Sequence, residues 1–148
     1  MHECKKKTLS YTFHEIHKMF LDNVKQEANV LGINPTFRYI FMCLLENKDG
    51  LAQSEICEMT HLKKSSISLT LQQMEKEELI SREKSNDDNR ITIVKLTEKG
   101  KKLDLKLRQI FIKHENALCS ALSEDELETL KEYLNRLIKV LKEENANV

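Results

Sequence analysis

A mainly helical chain carrying one small β-hairpin is the fold class that the sequence predicts, and three observations predict it. Its 148 residues include only 3 Gly and 1 Pro, so helix breakers are scarce beside abundant Glu, Lys and Leu. Apolar residues recur at steps of three and four through most of the chain, the spacing of one helix face. Between Leu79 and Leu96 that period gives way to two β-branched, apolar runs on either side of a polar tip. The length fits one domain, or one domain with additional helices, and 40% hydrophobic residues suffice for a packed core.

The first helix is expected from about Tyr11 to about Leu31, where Phe13, Ile16, Phe20, Val24, Ala28 and Leu31 share a face and Gly32 stops it. The residues before Ser10, with Lys5, Lys6 and Lys7, are basic and polar and are expected to fray. Asn34-Pro35 opens the second helix. Asn34 can cap free amides, and Pro35 suits the first helical position because it has no N–H to leave unpaired. Phe37, Ile40, Phe41, Leu44 and Leu45 form its stripe; it ends near Asn47, and Asp49-Gly50 is a turn signal. Leu51 to Thr60 reads as a short helix with Ile56 and Met59 inward. After a break at His61-Leu62, Lys64 to about Glu78 reads as another, with Ile67, Leu71 and Met74 inward.

Leu79–Glu83 and Ile91–Leu96 are the two strands of the hairpin, joined by a six-residue tip, Ser85 to Arg90, longer than a tight two-residue turn. Thr97 caps a long helix with Glu98 in its first turn and Leu103, Leu107, Ile110, His114, Leu118 and Ala121 along its stripe. Ser123 and Glu126 form a capping box at the start of the last helix. There Leu127, Leu130, Leu134, Leu137 and Leu141 repeat in alternating steps of three and four, a coiled-coil-like seam.

The charge balance is even, 24 basic against 24 acidic residues, so no global positive field draws the chain onto nucleic acid. Any such contact must come from a local patch. Cys4, Cys43, Cys57 and Cys119 are too far apart in sequence for a metal knuckle or a redox pair. With no signal peptide and no apolar run long enough to span a bilayer, a cytoplasmic protein with reduced thiols is expected. A nucleophile with its base, a phosphate loop and a strong metal signature are all lacking, so neither an enzyme nor a cofactor is expected.

A short helix, a break, a second helix and a hairpin make up a winged helix-turn-helix lobe, expected here over residues 33–100. In that plan the second helix enters a DNA major groove while the hairpin, the wing, reaches the neighbouring groove. The segment from His61 to Met74 contains Lys63 and Lys64 and no acid. Its outward positions are Lys64, Ser65, Ser68, Leu69 and Gln72, with Ser66 and Gln73 at the margins. Lysines meet phosphates, hydroxyls bond phosphates or base edges, Gln pairs with adenine, and an exposed Leu69 suits a thymine methyl. Glu75, Glu77 and Glu78 are held back at the far end, which favours entry by the helix N-terminus. At the tip, Arg90 suits a narrow minor groove. Asp88 shapes the wing by bonding turn amides or by pairing with Arg90 or Arg82.

In these segments the sequence resembles the MarR family of bacterial transcription regulators. The resemblance is carried by Leu51-Ala52-Gln53-Ser54-Glu55-Ile56, Ser65-Ser66-Ile67-Ser68, Leu79-Ile80-Ser81-Arg82, Asp88-Asn89-Arg90 and Val94-Lys95-Leu96-Thr97-Glu98-Lys99-Gly100. Glu78 departs from the pattern where the family often has Gly, and Ala52 and Lys63 where a capping Thr or Ser is common. The resemblance implies a homodimer that binds a pseudo-palindromic double-stranded operator. Dimerisation helices over residues 1–32 and 101–148 would interlock; the leucine seam and the Phe13–Leu31 stripe independently expose more apolar surface than one small lobe can cover.

The resemblance further implies a repressor released by a small aromatic or drug-like effector. In the matching region Phe13, His17, Phe37, Phe41, Met42 and Phe111 are candidate pocket residues, aromatic and Met side chains being suited to an adaptable apolar site; the alternative for each, and the commoner one, is ordinary core packing. Alternatives are a winged-helix protein-interaction module that does not bind DNA, a redox sensor using a cysteine such as Cys4, and a zinc sensor using His14 and His17 with His2 and Cys4.

Overall fold

The computed structural model describes residues 8–148 and divides the chain into two compact units, one running to Ile112 and the other comprising Lys113–Val148. The elements are α1 (Leu9–Val30), α2 (Phe37–Glu46), β1 (Leu51–Ala52), α3 (Gln53–Thr60), α4 (Lys64–Lys76), β2 (Ile80–Lys84), β3 (Thr92–Leu96), α5 (Glu98–Cys119) and α6 (Glu124–Ala146).

The N-cap Thr8 accepts the Tyr11 N–H on its hydroxyl at 3.2 Å, and α1 buries Val24 and Ala28. It ends in a Schellman turn: Gly32 takes a positive φ of 69°, its N–H donates to Asn29 O, and the Ile33 N–H donates to Ala28 O. The second helix begins two residues beyond Pro35. Asn34 Oδ1 accepts the Thr36 N–H at 3.0 Å and the Asn34 carbonyl accepts the Phe37 N–H, so Asn34 and Pro35 form a turn leading into α2 rather than its first residues.

The expected helix start at Leu51 is corrected. Leu51 and Ala52 form a short strand antiparallel to β3, pairing with Val94 and Ile93, and the hairpin becomes a three-stranded sheet of order β1-β3-β2. Gly50 makes the approach possible. Its φ is +92°, and a Cβ there would lie 2.7 Å from Ile93 Cγ2 and 2.8 Å from the Val94 carbonyl oxygen. Between β2 and β3 the connection runs over seven residues, 85–91, because Ile91 has left the strand; it is closed by the Ser85 N–H donating to Ile91 O.

α4 ends as α1 does, with the Glu78 N–H on Glu75 O and the Leu79 N–H on Met74 O, but the left-handed position is held by Glu78 at φ 62°. That is the position where the sequence departs from the family's glycine. Thr97 then joins this turn to α5: its hydroxyl donates to Glu78 O at 2.7 Å and accepts the Gly100 N–H at 3.0 Å. Gly100 is packed so closely on the wing base that a Cβ would overlap the Leu79 carbonyl oxygen and lie 2.7 Å from Leu96 Cδ1.

One core fills the first unit, built from Val24 and Ala28 of α1, Phe37, Ile40, Phe41 and Leu44 of α2, Ile56, Ile67, Leu71, Met74, Leu79, Ile80, Val94, Leu107 and Ile110. Met59, expected inward, is 46% exposed; only Ile56 of α3 is buried. The α5 stripe also buries a charge the apolar pattern does not show: Asp104 is fully buried and accepts from Arg38 Nη1 at 3.0 Å and Arg108 Nη2 at 2.6 Å. In the second unit, the Ser123–Glu126 capping box forms with bonds of 2.9 and 3.2 Å, and no residue of α6 is buried.

Candidate nucleic-acid interface

The burial of Ile67, Leu71 and Met74 turns the opposite face of α4 to solvent. That face presents Ser65, Leu69 and Gln72, and Leu69 is 68% exposed, an unusual position for a leucine unless something covers it. Lys63, Lys64 and Ser66 are also exposed. Ser68, expected outward, is half-buried on the flank. Lys63 is the N-cap and supplies no side-chain cap, so the amides of the first turn of α4 face outward without a side-chain acceptor. Gln73, at the margin, is engaged: its Oε1 accepts from Asn34 Nδ2 and its Nε2 donates to Glu77.

Lys64 and Arg90 line one cleft of about 410 Å³, together with Ala52, Gln53, Ser54 and Cys57 on the α3 side and Ile91 and Thr92 on the wing side. The beginning of α4 and the wing therefore open onto a common surface with two cationic side chains. Sequence reasoning gave Gln53, Ser54 and Thr92 no contact role: Gln53 and Ser54 stand in the stretch that carries the family resemblance, and the signal at Thr92 is polarity at a strand start.

The wing's shape is set by two charge pairs. Asp88 Oδ1 accepts the Arg90 backbone N–H at 3.0 Å and Nε at 3.1 Å, while Oδ2 accepts Nη2 at 3.1 Å. These bonds from Arg90 hold the Asp88 carboxyl below the usual carboxylate range. Arg82 has a different partner: its Nε and Nη2 donate to the two Glu75 oxygens at 2.8 and 3.2 Å. That bidentate pair lowers the Glu75 carboxyl and raises Arg82, and it ties the first wing strand to the last turns of α4. Of the alternatives for Asp88, the turn amide and Arg90 are both realised, and Arg82 is not.

The six candidate effector-pocket residues have different surroundings. Phe37 and Phe41 belong to the core and meet edge to face with centroids 6.2 Å apart. Phe111 is half-buried against Phe20, while Phe13, His17 and Met42 are exposed. Among the thiols, Cys43 is buried, donates to Tyr39 O, and is pushed up by burial and by Glu46, which makes it a poor nucleophile. His14 and His17 are exposed on α1, whereas His2 and Cys4 lie outside the described residues. Among the described residues no three His, Cys, Asp or Glu side chains are grouped to hold a metal ion, and no helix is long and apolar enough to cross a membrane.

The MarR family model matches residues 38–92, from the start of α2 to the start of β3. The HTH-type transcriptional regulator MhqR of Bacillus subtilis is 32% identical over 119 residues, which cover 78% of this chain and 79% of MhqR. An uncharacterised regulator of the same organism, YdgJ, is 33% identical over 78 residues, 53% of this chain and 46% of YdgJ. Among solved structures, MepR of Staphylococcus aureus in complex with DNA superposes with a TM-score of 0.82 at 28% identity, covering 90% of this chain and 98% of MepR. The repressor CouR on a 23-mer duplex shares the fold, with a TM-score of 0.81 at 20% identity over 93% of this chain and 99% of CouR. With a curated regulator matched over most of both lengths, the chain belongs to the MarR family of HTH-type transcriptional regulators.

Proposed function

We propose that the chain is a cytoplasmic, homodimeric repressor that binds a pseudo-palindromic DNA operator through the N-terminal half of α4 and the wing. The observation that carries this reading is the shared cleft of Lys64 and Arg90. A cation at the start of a helix and a cation on the wing, on one surface, match the two contacts that a winged helix makes with adjacent grooves. Lys63 and Lys64 would meet backbone phosphates, and Ser65, Ser66 and Ser68 would supply hydroxyls to phosphates or base edges. Leu69 and Gln72 face outward where base edges would lie, Gln suiting adenine and Leu a thymine methyl. Asp88 restrains the guanidinium of Arg90, so less side-chain freedom is lost when the wing enters a minor groove. Arg82 sets the angle of the wing through Glu75.

Residues 1–32 and 101–148 would form the dimer, with the exposed α6 leucines Leu130, Leu137 and Leu141 against a second copy. MepR and CouR, both solved with bound DNA, support the same partner for this chain. Two copies also double a basic patch that is small in each. An effector acting between lobe and dimer helices remains part of the reading, with Phe13, His17, Met42 and Phe111 as its residues and Phe37 and Phe41 as its packed backing.

Selection of bound duplexes from fragmented genomic DNA tests the proposal. It predicts enrichment of an inverted repeat whose footprint shows two half-sites one helical turn apart, about 34–36 Å. Recovery of no common sequence would favour a winged-helix module that binds proteins, the reading to which the zero net charge lends most support.

A further inference from the structure

The joint between α4 and the wing is held through three consecutive carbonyls, all bonded from the start of α5. The Leu79 oxygen accepts the Thr97 N–H at 3.1 Å, the Glu78 oxygen accepts the Thr97 hydroxyl at 2.7 Å, and the Glu77 oxygen accepts from Lys99 Nζ at 2.8 Å. Two features make this joint demanding. Glu78 takes a left-handed φ of 62° without being glycine, a conformation that its Cβ disfavours. Glu75, Glu77 and Glu78 also crowd the C-terminal end of α4, where the helix dipole disfavours acids. Two of the three are engaged by other groups: Glu75 pairs with Arg82, and Glu77 accepts from Gln73 Nε2 at 3.1 Å. Lys99 Nζ, 3.9 Å from a Glu78 carboxylate oxygen, is the cation that faces the third.

We infer that Lys99 is a positioning residue for operator binding: it latches the joint at Glu77 and Glu78, and so fixes the wing and Arg90 relative to α4. The helix itself is held along its length by buried Ile67, Leu71 and Met74. Along β2 the burial falls away, from buried Ile80 to exposed Glu83 and Lys84, so the wing is a lever anchored at its base. From Leu79 to Ser85 an extended chain spans roughly 20 Å. A tilt of about 10° at the joint therefore carries the tip by about 3 Å, the length of a hydrogen bond. Lys99 does not line the cleft of Lys64 and Arg90, so its action on DNA is indirect. Thr97 also bonds the joint, but its hydroxyl caps α5 as well; Lys99 is the member that can be removed with α5 left capped. The effect on affinity rests on the DNA-binding reading; the hold on the joint does not.

The test has one arm without DNA and one with it. Lys99→Met keeps the aliphatic stem and removes the donor and the charge. In the free chain it should quicken hydrogen exchange at the Glu78, Leu79 and Thr97 amides by about fivefold or more, leaving the α2 amides unchanged. Lys99→Arg should stay close to wild type. Adding Glu78→Gly to Lys99→Met, which relieves the left-handed position, should bring exchange back to within about twofold of wild type. Unchanged exchange at the joint, an equal rise throughout the first unit, or no recovery with Glu78→Gly overturns the latch.

On a selected operator, Lys99→Met should weaken binding by about threefold or more and leave the salt slope as it is in wild type. The factor lost through Arg90→Ala should be at least about twofold smaller in the Lys99→Met background, because a wing already out of place has less to lose. A slope lower by about two would make Lys99 a phosphate contact in each protomer and overturn the positioning role. So would an unchanged affinity, or an Arg90→Ala effect equal in both backgrounds. A wild-type chain that binds no duplex bears on the DNA reading, while hydrogen exchange still decides the latch.

Discussion

Removing the Asp104 carboxylate is expected to destabilise the first unit by roughly 3 kcal/mol. Asp104 is the only buried charged residue among those described, and it is the sole counter-charge to two guanidiniums from different positions, Arg38 on α2 and Arg108 one turn further along α5. Breaking a buried ion pair by deleting one partner costs about 3–5 kcal/mol, because the remaining charge is left unpaired out of water. The Arg38 side chain is 15% exposed and bears that cost, whereas Arg108 is 39% exposed and can turn to solvent, so its share is screened. The lower end of the range is therefore expected for Asp104→Ala, a fall of roughly 10 °C in melting temperature for a chain of this size. Urea unfolding at one fixed protein concentration measures it, since association would otherwise shift the apparent stability. Asp104→Leu combined with Arg38→Met should recover most of the loss, both charges having been replaced by apolar groups that can pack. A loss below about 1 kcal/mol for the single variant, or a double variant no more stable than the single, would refute the reasoning.

Three further outcomes follow from the geometry. Gly100→Ala places a methyl group against the Leu79 carbonyl and Leu96, so it should destabilise by about 1–3 kcal/mol in a thermal melt, and an unchanged melt would mean the wing base yields freely. The Asp88 and Glu75 carboxyls are held below their usual range by Arg90 and Arg82, so these pairs stand fully formed above about pH 4 and are lost as pH falls below it. Side-chain Nε–H resonances of Arg82 and Arg90 should lose protection over that acid window, and Asp88→Asn should remove the effect at Arg90 alone; pH-independent signals would show the pairs do not order the wing. Leu130→Glu with Leu137→Glu should turn a dimer into monomers in sedimentation velocity, and a persisting dimer would place the interface elsewhere.

The helices were legible in the sequence because each buries a stripe at steps of three and four, from Val24 and Ala28 through Ile67, Leu71 and Met74 to Leu107 and Ile110. Their ends were legible where a side chain does the capping, as at Ser123 and Thr97. What was not legible depends on partners distant in the chain. Leu51-Ala52 reads as a helix start because two residues carry no period, and only Ile93 and Val94 make a strand of them. Asp104 in a helix reads as solvated until Arg38, 66 residues away, is folded against it. Met59 follows the period of α3 yet is exposed, because Ile56, with Cys57 partly buried beside it, makes the helix's contact with the core. At the candidate interface, the acid-free run and the wing arginine could be read from residue types, but the common cleft of Lys64 and Arg90 exists only in three dimensions.

The most direct measurement of the central claim is the affinity for a selected operator as a function of salt, for wild type, Lys64→Ala and Arg90→Ala. If the two cations act together on DNA, log K should fall steeply and linearly with log salt. Each substitution, present twice in a dimer, should flatten that slope by about two and weaken binding. Binding that ignores salt, or slopes that both variants leave unchanged, would contradict the account.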